Sequence, residues 1–158
     1  MVDTTGISAI VAAVGVLVGV VLTVLELRHL AKSRRTDSLW RILSSFNSKE
    51  YLEAYMKVLS LEFKDYDDFT RKYGDLRSGK CEVGVPFRMV CNLFETAGFL
   101  FHNGLIEYEI VSQFPVTVAW EKVKPIVEGF RKEFNFPQSF EWFEYLYNEM
   151  KKGDRQRK

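Results

Sequence analysis

Residues 7–25 constrain this chain more than any other stretch: nineteen consecutive residues carry no charge, and Ser8 and Thr23 are the only hydroxyls among them. At 1.5 Å of rise per residue, a helix of about 19 residues reaches across a hydrocarbon layer of about 30 Å. A buried helix of a water-soluble domain would be interrupted by a polar face within that length. A cleaved signal sequence would start with basic residues and end its apolar run at a small-x-small site. This chain instead starts Met1-Val2-Asp3-Thr4-Thr5-Gly6 and leaves the run through Leu25-Glu26-Leu27-Arg28. The pattern predicts a retained transmembrane helix over residues 7–27, preceded by a short extracytoplasmic N-terminus at residues 1–6. Its valine richness suits a bilayer, where the backbone has no hydrogen-bonding alternative to the helix.

The flanks give that helix a direction. No Lys or Arg precedes it, whereas Arg28, Lys32, Arg34 and Arg35 follow in a basic juxtamembrane segment at residues 28–35. These four side chains are expected to meet lipid headgroups, each contributing about 1 kcal/mol near an anionic surface. The positive-inside rule then places the N-terminus outside and the rest of the chain in the cytoplasm, as a single-pass protein of the inner (plasma) membrane. Gly15 and Gly19 share one helix face with Ser8, Ala12 and Thr23. A stripe of small residues lets two backbones approach closely, so Gly15 and Gly19 are the expected helix-association surface. Two hydroxyls and no ionisable group make no path for ions or protons.

Beyond the anchor, residues 36–150 read as a cytoplasmic helical domain and residues 151–158 as a basic, frayed tail. The length that remains, about 125 residues, suits one core. Aromatic residues make up 15% of the chain, which argues for a packed interior rather than disorder. The formal net charge of +1, with no central basic face, gives no reason to expect nucleic acid as a partner. The two cysteines, Cys81 and Cys91, are ten residues apart without a His or Cys partner at metal spacing, so neither a disulfide framework nor a zinc site is indicated.

The periodicity is helical throughout, with no alternating strand pattern. Asn47-Ser48-Lys49-Glu50 opens a helix with Tyr51, Leu52, Tyr55, Val58 and Leu59 inward. Asp65-Tyr66-Asp67-Asp68 opens a short helix that Gly74 stops. These acids lack the glycine and glutamate spacing of a calcium loop, and read as helix N-terminal charge. Residues 75–84 are the expected exposed loop. Val85-Pro86 starts the most apolar helix, closed by Asn103-Gly104. A helix over residues 105–114 ends at Pro115, and another runs from Val116 to Phe134 with Pro125 as a kink or a break at Lys124. Pro137 is expected to set the first turn of a last helix that runs through Met150. The fold class is all-α: one N-terminal transmembrane helix followed by a bundle of about five or six short helices.

Only one polar set stands out. Arg88, Asn92, Glu95 and His102 fall on one stripe of the helix that begins near Pro86. A guanidinium, an amide, a carboxylate and an imidazole lining one pocket could do acid–base work. The plainer reading is the wet face of a helix, with Arg88 and Glu95 paired to neighbouring helices. No nucleophile elbow, phosphate loop, dinucleotide fingerprint or metalloprotease motif occurs. No catalytic residue, metal or cofactor is therefore assigned, and nothing argues for an enzyme.

The run Phe94-Glu95-Thr96-Ala97-Gly98-Phe99-Leu100-Phe101-His102-Asn103-Gly104-Leu105-Ile106, with Trp120-Glu121, Lys124-Pro125 and Phe130-Arg131, resembles a prokaryotic family of small proteins known only as a domain of unknown function. The resemblance covers residues 20–150 in the order of elements and the quoted runs in detail. It implies one N-terminal span, a cytoplasmic helical domain and a bacterial or archaeal source, and it brings no activity or catalytic residues. Two functions follow from these readings. The first is a membrane-anchored interaction module, with the lipid bilayer and itself or another membrane protein as partners. The second is a small-ligand sensor or enzyme working from the Arg88/Asn92/Glu95/His102 stripe.

Overall fold

A computed structural model describes residues 14–27 and 43–156. The chain divides into two units, Met1–Leu39 and Trp40–Lys158. In the first, residues 14–27 are helical, and Thr23 Oγ1 donates back to the Gly19 carbonyl at 2.8 Å. Fourteen residues span only about 21 Å, and among the described residues no helix is long and apolar enough to cross a membrane. Residues 7–13 of the expected span lie outside the described residues.

The second unit is all-helical wherever it is regular. Helix α1 is Lys49–Leu59, and Ser48 caps it by accepting from the Tyr51 N–H at 3.2 Å. Tyr51, Ala54 and Val58 face inward at i, i+3 and i+7. Leu52, expected inward, is half exposed because it lies about 100° round the helix from Tyr51. Helix α2, Tyr66–Tyr73, has the expected bounds. Its cap is Asp65, which accepts from the Asp68 N–H at 2.8 Å, and Gly74 ends it at φ +90°. Asp68 itself is buried, and its carboxylate accepts from Lys72, from the Lys64 N–H and from Arg71. Those donors hold its carboxyl below the usual range, Lys72 most strongly.

Helix α3, Gly84–His102, is the central element and buries Phe87, Val90, Cys91, Phe94, Ala97 and Gly98. It ends in a Schellman turn: Asn103 is the C-cap and Gly104 takes φ +65°. The Leu105 N–H returns to the Leu100 carbonyl at 2.9 Å, and the Gly104 N–H to the Phe101 carbonyl at 3.0 Å. That turn consumes the start of the helix expected over residues 105–114. What forms is only α4, Tyr108–Val111. Helix α5, Val116–Glu133, runs unbroken through Pro125. The proline lies on a helix held on its buried side by Trp120, Val123, Ile126 and Val127, which offsets one missing backbone bond.

Helix α6 is Glu141–Gln156, so it starts later and ends later than the sequence suggests. Phe140 sits at φ +57°, a left-handed conformation that no helix can include, and this places Pro137 in a turn before the helix. At the other end residues 151–156 are helical and not frayed, because Lys151 reaches Glu121 of α5 at 2.9 Å. The core joins α1, α3, α5 and α6. Phe94 stacks on Phe143 with ring centroids 4.7 Å apart, and Trp120 meets Phe143 edge-on at 4.9 Å. Each such fully buried ring contributes about 2–3 kcal/mol of apolar transfer. Gly98 permits a close crossing: a Cβ there would lie 2.0 Å from the Trp142 carbonyl oxygen, so α3 and α6 meet backbone to backbone.

Candidate functional site

The Arg88/Asn92/Glu95/His102 stripe is one line on α3 but not one site, because different neighbours cover its length. Glu95 is half-buried and accepts from the Phe143 N–H at 2.8 Å. It also receives a backbone hydrogen bond from Trp142. These are N–H groups of the first turn of α6, which have no partner within their own helix. Glu95 is thus a cap supplied from another helix. Burial pushes its carboxyl above the usual glutamate range, against the opposing pull of the Phe143 and Trp142 N–H groups. His102, at the exposed far end, lies against aromatic rings: 4.6 Å from Trp142 and 5.1 Å from Tyr145, centroid to centroid.

Arg88 and Asn92, at the near end of the stripe, border a cleft of about 330 Å³. Its walls come from three places. The 75–84 loop supplies Arg77, α3 supplies Phe87, and α5 with the turn after it supplies Phe130, Phe136 and Phe140. Local structure explains each placement. Arg88 Nη2 donates to the Leu76 carbonyl at 2.7 Å, and buried Leu76 pins the loop that carries Arg77. The Arg77 guanidinium lies 4.6 Å over the Phe134 ring. At the end of α5, Asn135 takes φ +48° and the Phe136 N–H returns to the Arg131 carbonyl at 3.1 Å. That Schellman turn, followed by Pro137, aims Phe136 outward, where it is 54% exposed. Arg131 secures the same turn, donating from Nε to the Ser139 carbonyl at 2.9 Å and from Nη1 to Glu144 at 2.6 Å.

Arg77, Phe130, Phe136 and Phe140 are not singled out by helical periodicity, since three of them lie in or beside irregular segments. The signal available was local: Phe134-Asn135-Phe136-Pro137 puts two aromatics round a helix-stopping Asn and Pro. The 75–84 loop, expected to be exposed, is so at residues 77–80 and at Glu82, while Leu76 and Val83 are buried and Asp75, Cys81 and Gly84 half-buried.

A second surface lies across α3 and α6. Phe99 is 47% exposed and packs edge-on to Trp142 at 5.8 Å. With His102 and Tyr145 these residues form a continuous aromatic patch. In the other unit, a Cβ built at Gly15 or Gly19 would meet nothing within 4 Å, so the small-residue face is open. Arg28, Lys32, Arg34 and Arg35 lie outside the described residues. Both cysteines are free; the Cys91 thiol is fully buried and pushed well up by burial, while Cys81 is part-exposed and raised less. Among the described residues no group of three His, Cys, Asp or Glu side chains could hold a metal ion.

Residues 9–150 match the family described as Domain of unknown function (DUF4760). No curated protein and no solved structure matches the chain. The match runs from within the apolar segment to the buried Met150 of α6, and so takes in the Glu95 cap, the aromatic patch and the cleft together. The chain belongs to the DUF4760 family.

Proposed function

We propose that this protein is a membrane-anchored helical interaction module. Residues 7–27 cross the bilayer once with the N-terminus outside. The helical domain works at the cytoplasmic face, where it binds a second copy of itself or another membrane protein. The observation that carries this reading is the helix of residues 14–27. All ten of its large aliphatic side chains are exposed, from 43% at Val24 to 67% at Val16. They point in every direction round the helix, so no single packed neighbour would cover them, whereas lipid covers all sides at once. The apolar run continues back to residue 7, which supports a crossing, and the four cations after it support the orientation.

Two surfaces support an interaction role. Gly15 and Gly19 leave an open stripe suited to close helix pairing. Phe99, His102, Trp142 and Tyr145 offer the aromatic composition typical of residues that dominate protein–protein binding. A sensor or enzyme built on the whole stripe has less support, because Glu95 is committed to capping α6 and His102 to the aromatic patch. Crosslinking of the full chain in native membranes tests the proposal. The wild type is expected to give a crosslinked dimer or a complex with one discrete membrane protein. Gly15→Leu with Gly19→Leu is expected to abolish self-association, and Phe99→Ser to reduce capture of a partner. Unchanged products in both variants would sink the reading.

A further inference from the structure

We propose that the cleft bordered by Arg77 and Arg88 is a binding site for a small aryl carboxylate. The acid's rings lie among Phe87, Phe130, Phe136 and Phe140, and its carboxylate meets the two guanidiniums. A volume of about 330 Å³ is at the low end for small-molecule sites, which suits a two-ring acid.

Arg71 and Arg131 each pair with a carboxylate, Asp68 and Glu144 respectively. Among the described residues, Arg77 and Arg88 have no carboxylate within 4 Å of their guanidiniums, yet both border the same cleft. The nearest acid in sequence, Asp75, directs Oδ1 at the Arg77 backbone N–H, 2.8 Å away, and not at its side chain. Arg88 spends one donor on Leu76, leaving the rest of a planar fork that matches a carboxylate in a two-point grip. Arg77 is held in place over Phe134 before any ligand arrives. Asn92 adds an amide on the same wall.

An exposed phenylalanine costs apolar hydration, and Phe136 bears that cost at the rim of the cleft. Phe140 holds its ring edge-on to Phe87, centroids 6.1 Å apart, through a backbone at φ +57°. A left-handed conformation strains an aromatic residue, and such strain gathers where surrounding structure fixes a side chain for use. Four rings and two arginines that lack a carboxylate partner among the described residues thus border one opening. That combination selects a flat apolar body bearing one negative group, and the fork geometry selects a carboxylate.

The test is titration of the full chain, in non-ionic detergent, with 2-naphthoate, followed by calorimetry and by saturation-transfer NMR. Wild-type protein is expected to bind saturably, and the uncharged 2-naphthalenemethanol to bind at least about tenfold more weakly. Arg77→Gln with Arg88→Gln is expected to weaken naphthoate binding by about tenfold or more, and Phe136→Ser by about tenfold. Because Arg88 also holds the loop, the single change Arg77→Gln serves as the variant that leaves the fold intact; it is expected to cost about threefold to tenfold. No saturable binding up to about 5 mM, equal binding of the uncharged analogue, or unchanged affinity in Arg77→Gln and Phe136→Ser would each overturn the proposal.

Discussion

Replacing Glu95 separates a structural role from a catalytic one. The carboxylate accepts from the Phe143 and Trp142 N–H groups at the start of α6. Glu95→Ala leaves two first-turn donors without a partner in a half-buried setting. Loss of a cap costs about 0.5–2 kcal/mol, and leaving a part-buried donor unsatisfied pushes the figure to the upper part of that range. We therefore expect a loss of about 2 kcal/mol. For a domain slightly above 100 residues this lowers Tm by about 8 °C. Glu95→Gln keeps one acceptor oxygen and should recover more than half of the loss. Far-UV circular dichroism melts of the full chain provide the assay.

The pH dependence supplies an independent check on Glu95. Its folded carboxyl titrates above the ordinary glutamate value, chiefly because of burial. The folded state therefore holds the proton more tightly than the unfolded state. The corresponding stability is present below the ordinary glutamate range and is lost as pH rises through the folded value. Relative to Glu95→Gln, the wild type should be most stable on the acid side of that window. A Glu95→Ala protein with wild-type Tm, at any pH from 4 to 8, would refute the capping role.

Other substitutions probe the remaining claims. Gly98→Ala places a Cβ 2.0 Å from the Trp142 carbonyl oxygen, and should cost about 3 kcal/mol or more in denaturant unfolding as α3 and α6 are forced apart. Ser48→Ala removes the acceptor for the Tyr51 N–H and should cost about 1 kcal/mol by the same measurement. Asp68 has a depressed carboxyl, so its contribution is present above the ordinary aspartate range and lost as pH falls through the folded value; Asp68→Asn should flatten the acid limb of a Tm-versus-pH curve. With a thiol-reactive chromophore, Cys81 should react in the native state and Cys91 only on unfolding, since Cys91 is fully buried.

How much of this architecture was legible depended on whether the deciding signal was local. Ser48, Asp65, Gly74 and Asn103-Gly104 terminate helices through their own side chains or backbone freedom, and each boundary lies where the sequence puts it. Pro137 misled because a proline at N1 and a proline in a preceding turn look alike. Left-handed Phe140, fixed by its packing on Phe87, decides between them. Leu105 begins an apolar-looking helix in sequence, but its N–H is committed to closing α3. Lys151 belongs to a helix because of a partner on α5, thirty residues away in sequence.

The stripe on α3 shows the same division. The four residues share one helical line, but each meets a different neighbour. What lies over each residue is set by α6 for Glu95 and His102, and by the 75–84 loop and the α5–α6 turn for Arg88 and Asn92. Packing between helices far apart in sequence carries no periodic signature. The cleft could not have been drawn from α3 alone.

The most direct test of the anchor is extraction of the full chain from its native membrane fraction with alkaline carbonate. Integral spans resist that treatment and peripheral proteins do not. The full chain is expected to stay in the pellet, and a chain lacking residues 7–25 to be released to the supernatant with its helical domain folded. Release of the full chain by carbonate, or its recovery without membranes at the outset, would contradict it.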